Sequence, residues 1–449
     1  MTKRSKTSRR DFLRGAAMTA ASVVGAVGAP KFSFAQEAGG KTLIKVFQRG
    51  GADGLHLFPR SADTFYHDHR PNIGIPVRMS EADFNGSIDL GALGGGQRFL
   101  NPNLWPLLEI WDSGRMLVAP STAIEEGNRS HFDCQRWIGT GLQNNVIDGY
   151  LNRYLQAVDA TDHPIRGAVL GKSSGSTEMR GPINSPVINT ASSFNLTNGD
   201  FCSGSGCADN RLTDAMREIA SHQTDLGAAE LAVRQQQIVM LDAIGEIQAA
   251  GTNYVADAGS LEGGDQLDYS NSDLGRGLRL VAQLIKAGVP LSVAALDWNI
   301  GWDTHSNQIA DTGNPFSDQG KGYHQGMLRG ATDFLTFWRD MADHRDDVVV
   351  LVGTEFGRTV IENGSQGTDH GHGGAWFAFG GTTAGGMAPD VESLDRDNLR
   401  DTRYMPTAVD YRDLVGEIMV RHMGLPENLL GTVLPNFNVT DRGFFARTA

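Results

Sequence analysis

The chain of 449 residues lacks a surplus of basic charge, a long hydrophobic run and an internal repeat. Its formal charge is −13, and it contains no basic patch or helix-turn-helix pattern, so a nucleic-acid partner is not expected. The apolar stretch from Gly15 to Ala29 is too short, and too rich in alanine and glycine, to form a stable membrane span. No period of roughly 20 to 50 residues recurs, which argues against a repeat architecture.

Cysteine and histidine are also scarce, with three and twelve residues. Cys202 and Cys207 flank a Ser-Gly-Ser-Gly loop and could close a disulfide in an oxidising compartment, or remain two unpaired thiols. Cys134 has no evident mate. The histidines, although few, occur in clusters with carboxylates, and that combination is typical of metal sites.

The N-terminus predicts an export signal rather than a folded element. The run SRRDFL at positions 8–13 matches a twin-arginine signal, and SFA at 33–35 is a candidate cleavage site. We therefore expect residues 1–35 to be a signal peptide that is handled by the twin-arginine translocase. The mature protein would then be periplasmic or extracellular. That export route carries proteins that are already folded, often with a metal or cofactor bound.

Beyond the signal, apolar strands alternate with helical patterns. Buried strands are predicted at 42–48, 115–119, 168–170, 291–296 and 348–352, and helices at 104–113, 146–157, 212–250, 274–287 and 322–344. This alternation indicates an α/β fold with a mainly parallel sheet, whose carboxyl ends meet at one edge. Over 36–449 we expect one large domain with a loop-rich insertion at 58–103 and a helical insertion.

Polar residues follow the first two strands. Asp53 lies between glycines just after the first strand, where it could ligate a cation or form an ordinary Asx turn. Ser130 precedes a candidate helix, with Asp133 at a capping-box position, so its hydroxyl could attack an electrophile or simply cap the helix. His131 could ligate a metal, support a ligand or be structural.

Two later clusters combine carboxylates with imidazoles. Asp303 and His305 flank a single threonine; they could grip one cation or form a structural hydrogen bond, and Asp297 is an alternative ligand. The segment 353–374, behind the last buried strand, is rich in glycine, which allows close approach to a ligand. Its polar residues are Glu355, Arg358, Asp369, His370 and His372. The alternative interpretation is a solvated loop with incidental histidines.

Together these motifs resemble the DUF1501 family of exported bacterial proteins. The resemblance rests on FQRGGADGL at 47–55, NRSHFDCQ at 128–135, GWDTHSN at 301–307 and GTEFGRTVIENGSQGTDHGHGG at 353–374. That family is similar in turn to the alkaline phosphatase/sulfatase superfamily. The resemblance implies an alkaline-phosphatase-like fold, with a mainly parallel sheet sandwiched between helices and divalent metal at the strand ends, zinc being the expected ion.

The resemblance also implies roles for individual residues. Ser130 would be the nucleophile, and Arg358 would clamp the non-bridging oxygens or, alternatively, form a salt bridge with an acid at the sheet edge. The implied metal ligands are Asp53, Asp303, His305, Glu355 and either His370 or His372. Phe356 departs from the superfamily pattern, which places a histidine directly after the ligand acid, so a second metal is in question.

Two functions from different classes follow. The first is an exported, metal-dependent hydrolase acting on phosphate or sulfate esters of a small molecule or polymer. The second is a catalytically weak or inactive metal-binding or assembly protein that retains the fold. The missing histidine after Glu355 favours the second function, whereas Ser130 and the set of acids and histidines favour the first.

Overall fold

The computed structural model describes residues 40–80, 83, 85–143, 147–159, 165–191, 211–221, 227–251, 254–261, 264, 266–309 and 322–446. The predicted signal at 1–35 and the pair Cys202 and Cys207 lie outside these ranges. Among the described helices, none combines the length and apolarity that a membrane crossing requires.

A nine-stranded sheet forms the centre of the described chain, and a two-stranded sheet lies beside it. The strands are β1 Thr42–Gln48, β2 Ile88–Asp89, β3 Phe99–Leu100, β4 Met116–Ala123, β5 Gly167–Leu170, β6 Val187–Ile188, β7 Val293–Asp297, β8 Val348–Thr354, β9 Gly374–Gly380, β10 Gly386–Met387 and β11 Val409–Asp410. The order in the large sheet is β10-β4-β9-β8-β1-β7-β5-β6, and β11 pairs with β4. β9 is antiparallel to β4 and β8, whereas the other pairs in this sheet are parallel.

The register brings several strand ends to one edge. Gln48 at the end of β1 pairs with Thr354 at the end of β8, and Phe47 pairs with Asp297 at the end of β7. Because β9 runs antiparallel, it begins at this same edge, where Gly374 pairs with Thr122 near the end of β4. The loops that follow β1, β4, β7 and β8 therefore leave the sheet side by side.

Helices pack on both faces of the sheet. The described α-helices are α1 Gly54–Leu57, α2 Thr64–His69, α3 Leu108–Asp112, α4 His131–Thr140, α5 Tyr150–Ala157, α6 Arg211–Ser221, α7 Ala228–Gly251, α8 Asp273–Lys286, α9 Gly322–Asp340, α10 Tyr411–Glu417 and α11 Leu430–Val433. One face buries a large apolar cluster against α4, α5 and α10. The other packs against α8 and α9, where Phe334 meets Phe377 and Phe379 edge-on. The expected α/β architecture with a mainly parallel sheet is thus confirmed.

Two details of the secondary structure differ from expectation. β4 continues to Ala123, beyond the predicted end at Ala119, and β9 is absent from the predicted strands. β9 reads GAWFAFG, so it carries neither branched residues nor polar alternation that would mark a strand. Its aromatic residues are compatible with a strand, and the pairing with β4 and β8, rather than a local pattern, defines it as one.

Residues 195–247 belong to a compact unit separate from the one that contains the sheet. Its described part consists of α6 and most of α7, and these two helices lie in the stretch that the sequence predicts to be helical. The sheet, all the polar clusters singled out above and the remaining helices belong to the larger unit.

Candidate metal centre

Imidazoles and a carboxylate converge at the edge of the sheet where the strand ends meet. His131, Asp303 and His370 each offer a ligand atom within 4.8 Å of the others. Asp303 lies 3.2 Å from His370 Nε2 through Oδ1 and 3.5 Å from His131 Nε2 through Oδ2. The Nε2 atom of His305 lies 3.0 Å from His370 Nε2 and 3.1 Å from Asp303 Oδ1. The described residues contain one such cluster.

These separations fit a single cation. Ligand atoms bound at about 2.1 Å from a tetrahedral zinc ion lie about 3.4 Å from one another. The donor atoms of His131, Asp303 and His370 lie within 4.8 Å of one another, and His305 Nε2 lies beside two of them, so a single ion could be held between these side chains. His305 and Asp303 expose 47% and 44% of their side chains, so an ion held between them would face solvent.

The unpartnered nitrogen of His131 supports the same interpretation. Its Nε2 is buried and has no hydrogen-bond partner among the described residues, although it lies 3.5 Å from Asp303 Oδ2. A buried polar atom without a partner is uncommon, because its loss of water is not compensated. A cation between His131 and Asp303 would supply the missing interaction.

Glu355 orients His131. Its carboxylate is buried, and Oε1 accepts hydrogen bonds from His131 Nδ1 at 2.8 Å, Gln135 Nε2 at 2.9 Å and the amide of Gly50 at 2.9 Å. The hydrogen bond that His131 donates to Glu355 raises the pKa of His131. Burial alone would raise the pKa of Glu355, but the hydrogen bonds from His131 and Gln135 outweigh it and lower that pKa. With Nδ1 held in this way, the ring directs Nε2 toward the cluster.

Arg358 holds Asp303. Its guanidinium is buried, and Nη1 donates to Asp303 Oδ1 at 2.6 Å while Nη2 donates to the carbonyl of Thr368 at 2.6 Å. The pKa of Asp303 is lowered, because the hydrogen bond and charge of Arg358 outweigh the opposing effect of burial. This contact corresponds to the salt-bridge alternative, and a clamp of Arg358 on a substrate oxygen stays a prediction.

Asp53 is not part of the cluster formed by His131, Asp303 and His370. Both of its oxygens bind Arg70, at 2.7 and 3.0 Å, and Oδ2 also accepts from Gln308 at 2.7 Å. Gln308 accepts in turn from Thr368, which also binds Arg358. Asp53 thus reaches Asp303 only through a chain of hydrogen bonds. Burial would raise the pKa of Asp53, but Arg70 outweighs it and lowers that pKa.

The two histidines of the last motif separate. His370 joins the cluster through Nε2, and its Nδ1 donates to the carbonyl of Arg129 at 3.0 Å. His372 is buried elsewhere, with Nε2 2.8 Å from Thr407 Oγ1 and 2.6 Å from Arg400 Nη1. Gly371 between them packs closely, since a Cβ there would lie 2.4 Å from the carbonyl carbon of Arg358. Of the two histidines, His370 is therefore the one that lies with Asp303 and His305.

Phe356 forms the apolar wall of the cluster. Its ring is buried, with its centroid 4.8 Å from that of His131 and 4.9 Å from that of His370. A Cβ at Gly51 would lie 2.5 Å from this ring, so the glycine leaves the space that the ring occupies. The residue that replaces the expected histidine thus packs against two of the candidate ligands.

Ser130 caps α4 at the edge of the cluster. Its Oγ accepts a long hydrogen bond of 3.4 Å from the amide of Asp133, and the next residue is His131. The serine is half-buried, and Arg129 before it has φ +65°. Ser130 can therefore cap the helix while its hydroxyl remains weakly engaged.

Sequence reasoning left three participants outside the proposed ligand set. For His131 the sequence leaves open a ligand, a supporting and a structural role, and its position directly after Ser130, at a helix start behind a strand, is the signal that could have selected the ligand role. Asp369, whose Oδ1 lies 3.4 Å from His305 Nδ1, follows the same pattern of an acid beside a histidine. Gln308 carries no comparable signal, because glutamine is ordinary in a polar loop.

Comparisons with known proteins identify a family without an activity. The family described as "Protein of unknown function (DUF1501)" matches residues 121–434. None of the curated proteins matches the chain. Among solved structures, the chain is similar to a protein in the alkaline phosphatase superfamily from Vibrio parahaemolyticus. The identity is 10% and the TM-score is 0.33, and the match covers 94% of this chain and 79% of that chain.

Two further solved structures are similar at the same level. The lipoteichoic acid synthase LtaP from Listeria monocytogenes has 11% identity and a TM-score of 0.30, over 76% of this chain and 62% of that chain. The soluble domain of lipooligosaccharide phosphoethanolamine transferase A from Neisseria meningitidis has 12% identity and a TM-score of 0.27, over 79% of each chain. The function of this chain has to be argued from its own site.

Proposed function

The chain belongs to the DUF1501 family of proteins of unknown function, and from the geometry of its site we propose that it is an exported, metal-dependent hydrolase of phosphate or sulfate esters. The observation that carries the proposal is the convergence of His131, at the start of α4, with Asp303 and His370, which lie on the loops after β7 and β8. Export rests on the twin-arginine motif, and the ester class rests on the resemblance of the four motifs described above.

The donor set favours zinc. Three imidazole nitrogens and one carboxylate oxygen suit zinc better than magnesium or calcium, which prefer oxygen ligands. His131, Asp303, His305 and His370 would hold the ion, and the solvent-exposed side of the cluster leaves access for an ester oxygen. When bound, the ion would act as a Lewis acid toward that oxygen. Glu355 and Arg358 would keep His131 and Asp303 oriented.

Ser130 is the proposed nucleophile. Its Oγ would bond to phosphorus or sulfur while the alcohol leaves, and water would then cleave the seryl ester and restore the serine. The hydroxyl lies at the amino end of α4, where free backbone N–H groups stabilise negative charge. The contact between His370 and the carbonyl of Arg129 holds the residue before Ser130 against the cluster.

A second function is favoured by a specific observation. Asp53 is engaged by Arg70 and Gln308, and Phe356 occupies the wall of the cluster, so the described residues offer donors for one ion rather than two. A protein that binds metal or assists assembly, without hydrolysis, would need no second ion. We keep this function as the alternative.

One experiment separates the two functions. The mature protein is loaded with zinc, its metal content is measured by mass spectrometry, and turnover is screened on aryl phosphates and aryl sulfates. We expect metal-dependent turnover that falls about 10³-fold or more in Ser130→Ala, as for other catalytic nucleophiles. Ser113→Ala, which removes a hydroxyl that donates to the carbonyl of Ile110 and accepts from the amide of Arg115, is the matched control. Full zinc loading without turnover on any ester would support the alternative.

A further inference from the structure

Besides Arg358, three arginines contact residues 369–372 of the last motif, and two of them have carboxylate partners. Arg400 Nη1 lies 2.8 Å from Glu125 Oε1, and Arg403 Nη2 lies 2.7 Å from Asp369 Oδ2. Arg129 differs from both. Across the described ranges, its guanidinium has neither a hydrogen-bond acceptor nor a carboxylate partner; it packs on the ring of Tyr404, 4.6 Å from the centroid. The exposed charge of Arg129 is therefore uncompensated.

The backbone places Arg129 between the proposed nucleophile and a candidate ligand. Ser130 is the next residue, and the carbonyl of Arg129 accepts from His370 Nδ1 at 3.0 Å. Its φ of +65° is a conformation that residues other than glycine rarely adopt and that persists when the surroundings impose it. Here the hydrogen bond to His370 is part of what imposes it.

The ring of Tyr404, on which the guanidinium of Arg129 packs, is also held in place by its surroundings. Tyr404 follows a tight turn in which Asp401 and Thr402 have φ values of +51° and +54°. The turn is closed by reciprocal backbone hydrogen bonds between Arg400 and Tyr404, both 2.9 Å. Tyr404 also forms a bridge with Thr359, directly after Arg358. The ring that supports Arg129 is thus tied to the loop that carries the candidate ligands.

We propose that Arg129 binds a second oxyanion of the substrate, separate from the ester group that would react beside Ser130. This inference rests on the proposed function and narrows its substrate class to esters that carry a further phosphate, sulfate or other oxyanion. A guanidinium binds such groups through two parallel N–H donors, and stacking on Tyr404 orients that fork before the ligand arrives. The guanidinium of Arg129 is exposed and has no carboxylate partner among the described residues, which leaves it available to an external anion.

The test compares anions that differ by one charge-bearing group. Phenylphosphonate and its meta- and para-sulfonated analogues, which cannot be hydrolysed at the P–C bond, are titrated calorimetrically into zinc-loaded protein. For wild type we expect at least one sulfonated analogue to bind more tightly than phenylphosphonate. In Arg129→Gln that analogue should lose about tenfold in affinity, while phenylphosphonate changes by less than about twofold. Zinc content, measured on the same samples, should be unchanged.

Two other variants complete the design. Arg136→Gln is the matched control, because Arg136 lies on α4, the helix that follows Arg129, and has Asp133 as a partner at 3.4 Å; both affinities should persist. Tyr404→Ala removes the platform and should weaken the sulfonated analogue in the same direction as Arg129→Gln. Should Arg129→Gln not fold, Arg129→Lys, which keeps the charge but loses the fork, is expected to lie between wild type and the Tyr404 variant.

The outcomes distinguish this inference from the proposed function. Equal binding of all three phosphonates by wild type, or equal losses for all three in Arg129→Gln, would overturn the second anion site whether or not esters are hydrolysed. A selective loss in Arg129→Gln supports the site even if no ester is turned over, and in that case only the hydrolase proposal fails.

Discussion

His131 Nδ1 lies 2.8 Å from Glu355 Oε1, and the opposite nitrogen of the same ring, Nε2, is buried at the candidate metal centre without a hydrogen bond from any residue that the structure describes. This pair joins the first residue of α4 to the residue after β8. A carboxylate that accepts from one ring nitrogen fixes the tautomer in which the other nitrogen presents a lone pair. Glu355 therefore acts on the metal centre indirectly, by orienting the ring of His131.

The first prediction concerns Glu355. In Glu355→Gln the amide can still contact His131, but it no longer stabilises the ring electrostatically, so zinc affinity should fall about 10-fold to 100-fold. Competition with a chromophoric chelator measures the affinity. Glu362→Gln makes the same chemical change at a residue that binds Asn72 and Ile73, and it should leave zinc affinity unchanged. Equal affinities of wild type and Glu355→Gln would contradict the assigned role.

The second prediction separates the two histidines of the last motif. His370→Ala removes a donor that lies 3.2 Å from Asp303, so the purified protein should contain much less metal than wild type. His372→Ala removes contacts with Thr407 and Arg400 and should keep its metal. The metal content of the two variants and wild type is measured by mass spectrometry. The reverse pattern would mean that His372 is the ligand and that the arrangement seen here is not the one that binds metal.

The third prediction concerns Asp303. Its carboxylate lies 3.2 Å from His370 Nε2 and 3.1 Å from His305 Nε2, and 3.5 Å from His131 Nε2. Asp303→Ala should lower the metal content and also leave Arg358 without its carboxylate. Because the guanidinium of Arg358 is buried, the loss of its carboxylate should also lower the thermal stability of the metal-free protein. Thermal unfolding of the metal-free proteins measures this, and an unchanged metal stoichiometry would exclude Asp303 as a ligand.

The fourth prediction tests Asp53 as a structural residue against Asp53 as a ligand. Asp53→Ala leaves the buried guanidinium of Arg70 unpaired, which should destabilise the protein by about 3–5 kcal/mol. The double variant Asp53→Ala, Arg70→Met should recover part of that loss. Urea unfolding gives the stabilities. If Asp53→Ala instead stays stable and loses its metal, Asp53 is a ligand, as the sequence resemblance implies.

The fifth prediction is a pH dependence that arises from Lys45 in the centre of β1. Burial lowers the pKa of Lys45 to about 7, and its Nζ donates to the carbonyl of Val46 and lies 4.4 Å from the ring centroid of Trp376. Between about pH 7 and pH 10.5 the unfolded chain binds this proton and the folded chain does not. Stability therefore rises with pH across that window, by up to about 1.4 kcal/mol per pH unit.

Lys45→Met isolates this contribution from other titrating groups. The free energy of unfolding of the variant, minus that of wild type, should be largest near pH 7 and should fall as the pH approaches 10. Chemical unfolding at several pH values measures the difference. A difference that does not vary with pH would show that the amine has an ordinary pKa in the folded protein.

Local patterns in the chain predict much of the fold. Uninterrupted apolar runs predict β1, β7 and β8 because a strand covered on both faces requires them, and the polar groups behind those strands mark the edge where the site lies. β9 escapes prediction because its stability comes from pairing with β4 and β8 rather than from its own residues. The same limit applies to the metal centre, because whether a residue can act as a ligand depends on side chains that come from distant parts of the chain.

The sequence by itself determined the α/β alternation, the edge at which the acids and histidines gather, and the local pair Asp303 and His305, since these follow from periodicity and short spacing. Only the tertiary structure decided that Arg70 forms an ion pair with Asp53, that Glu355 accepts a hydrogen bond from His131, and that His370 rather than His372 contacts Asp303. The physical reason is that a carboxylate or imidazole has the same chemistry in every context until packing selects its partner. Those partners lie up to hundreds of residues away, on strands whose register no local pattern specifies.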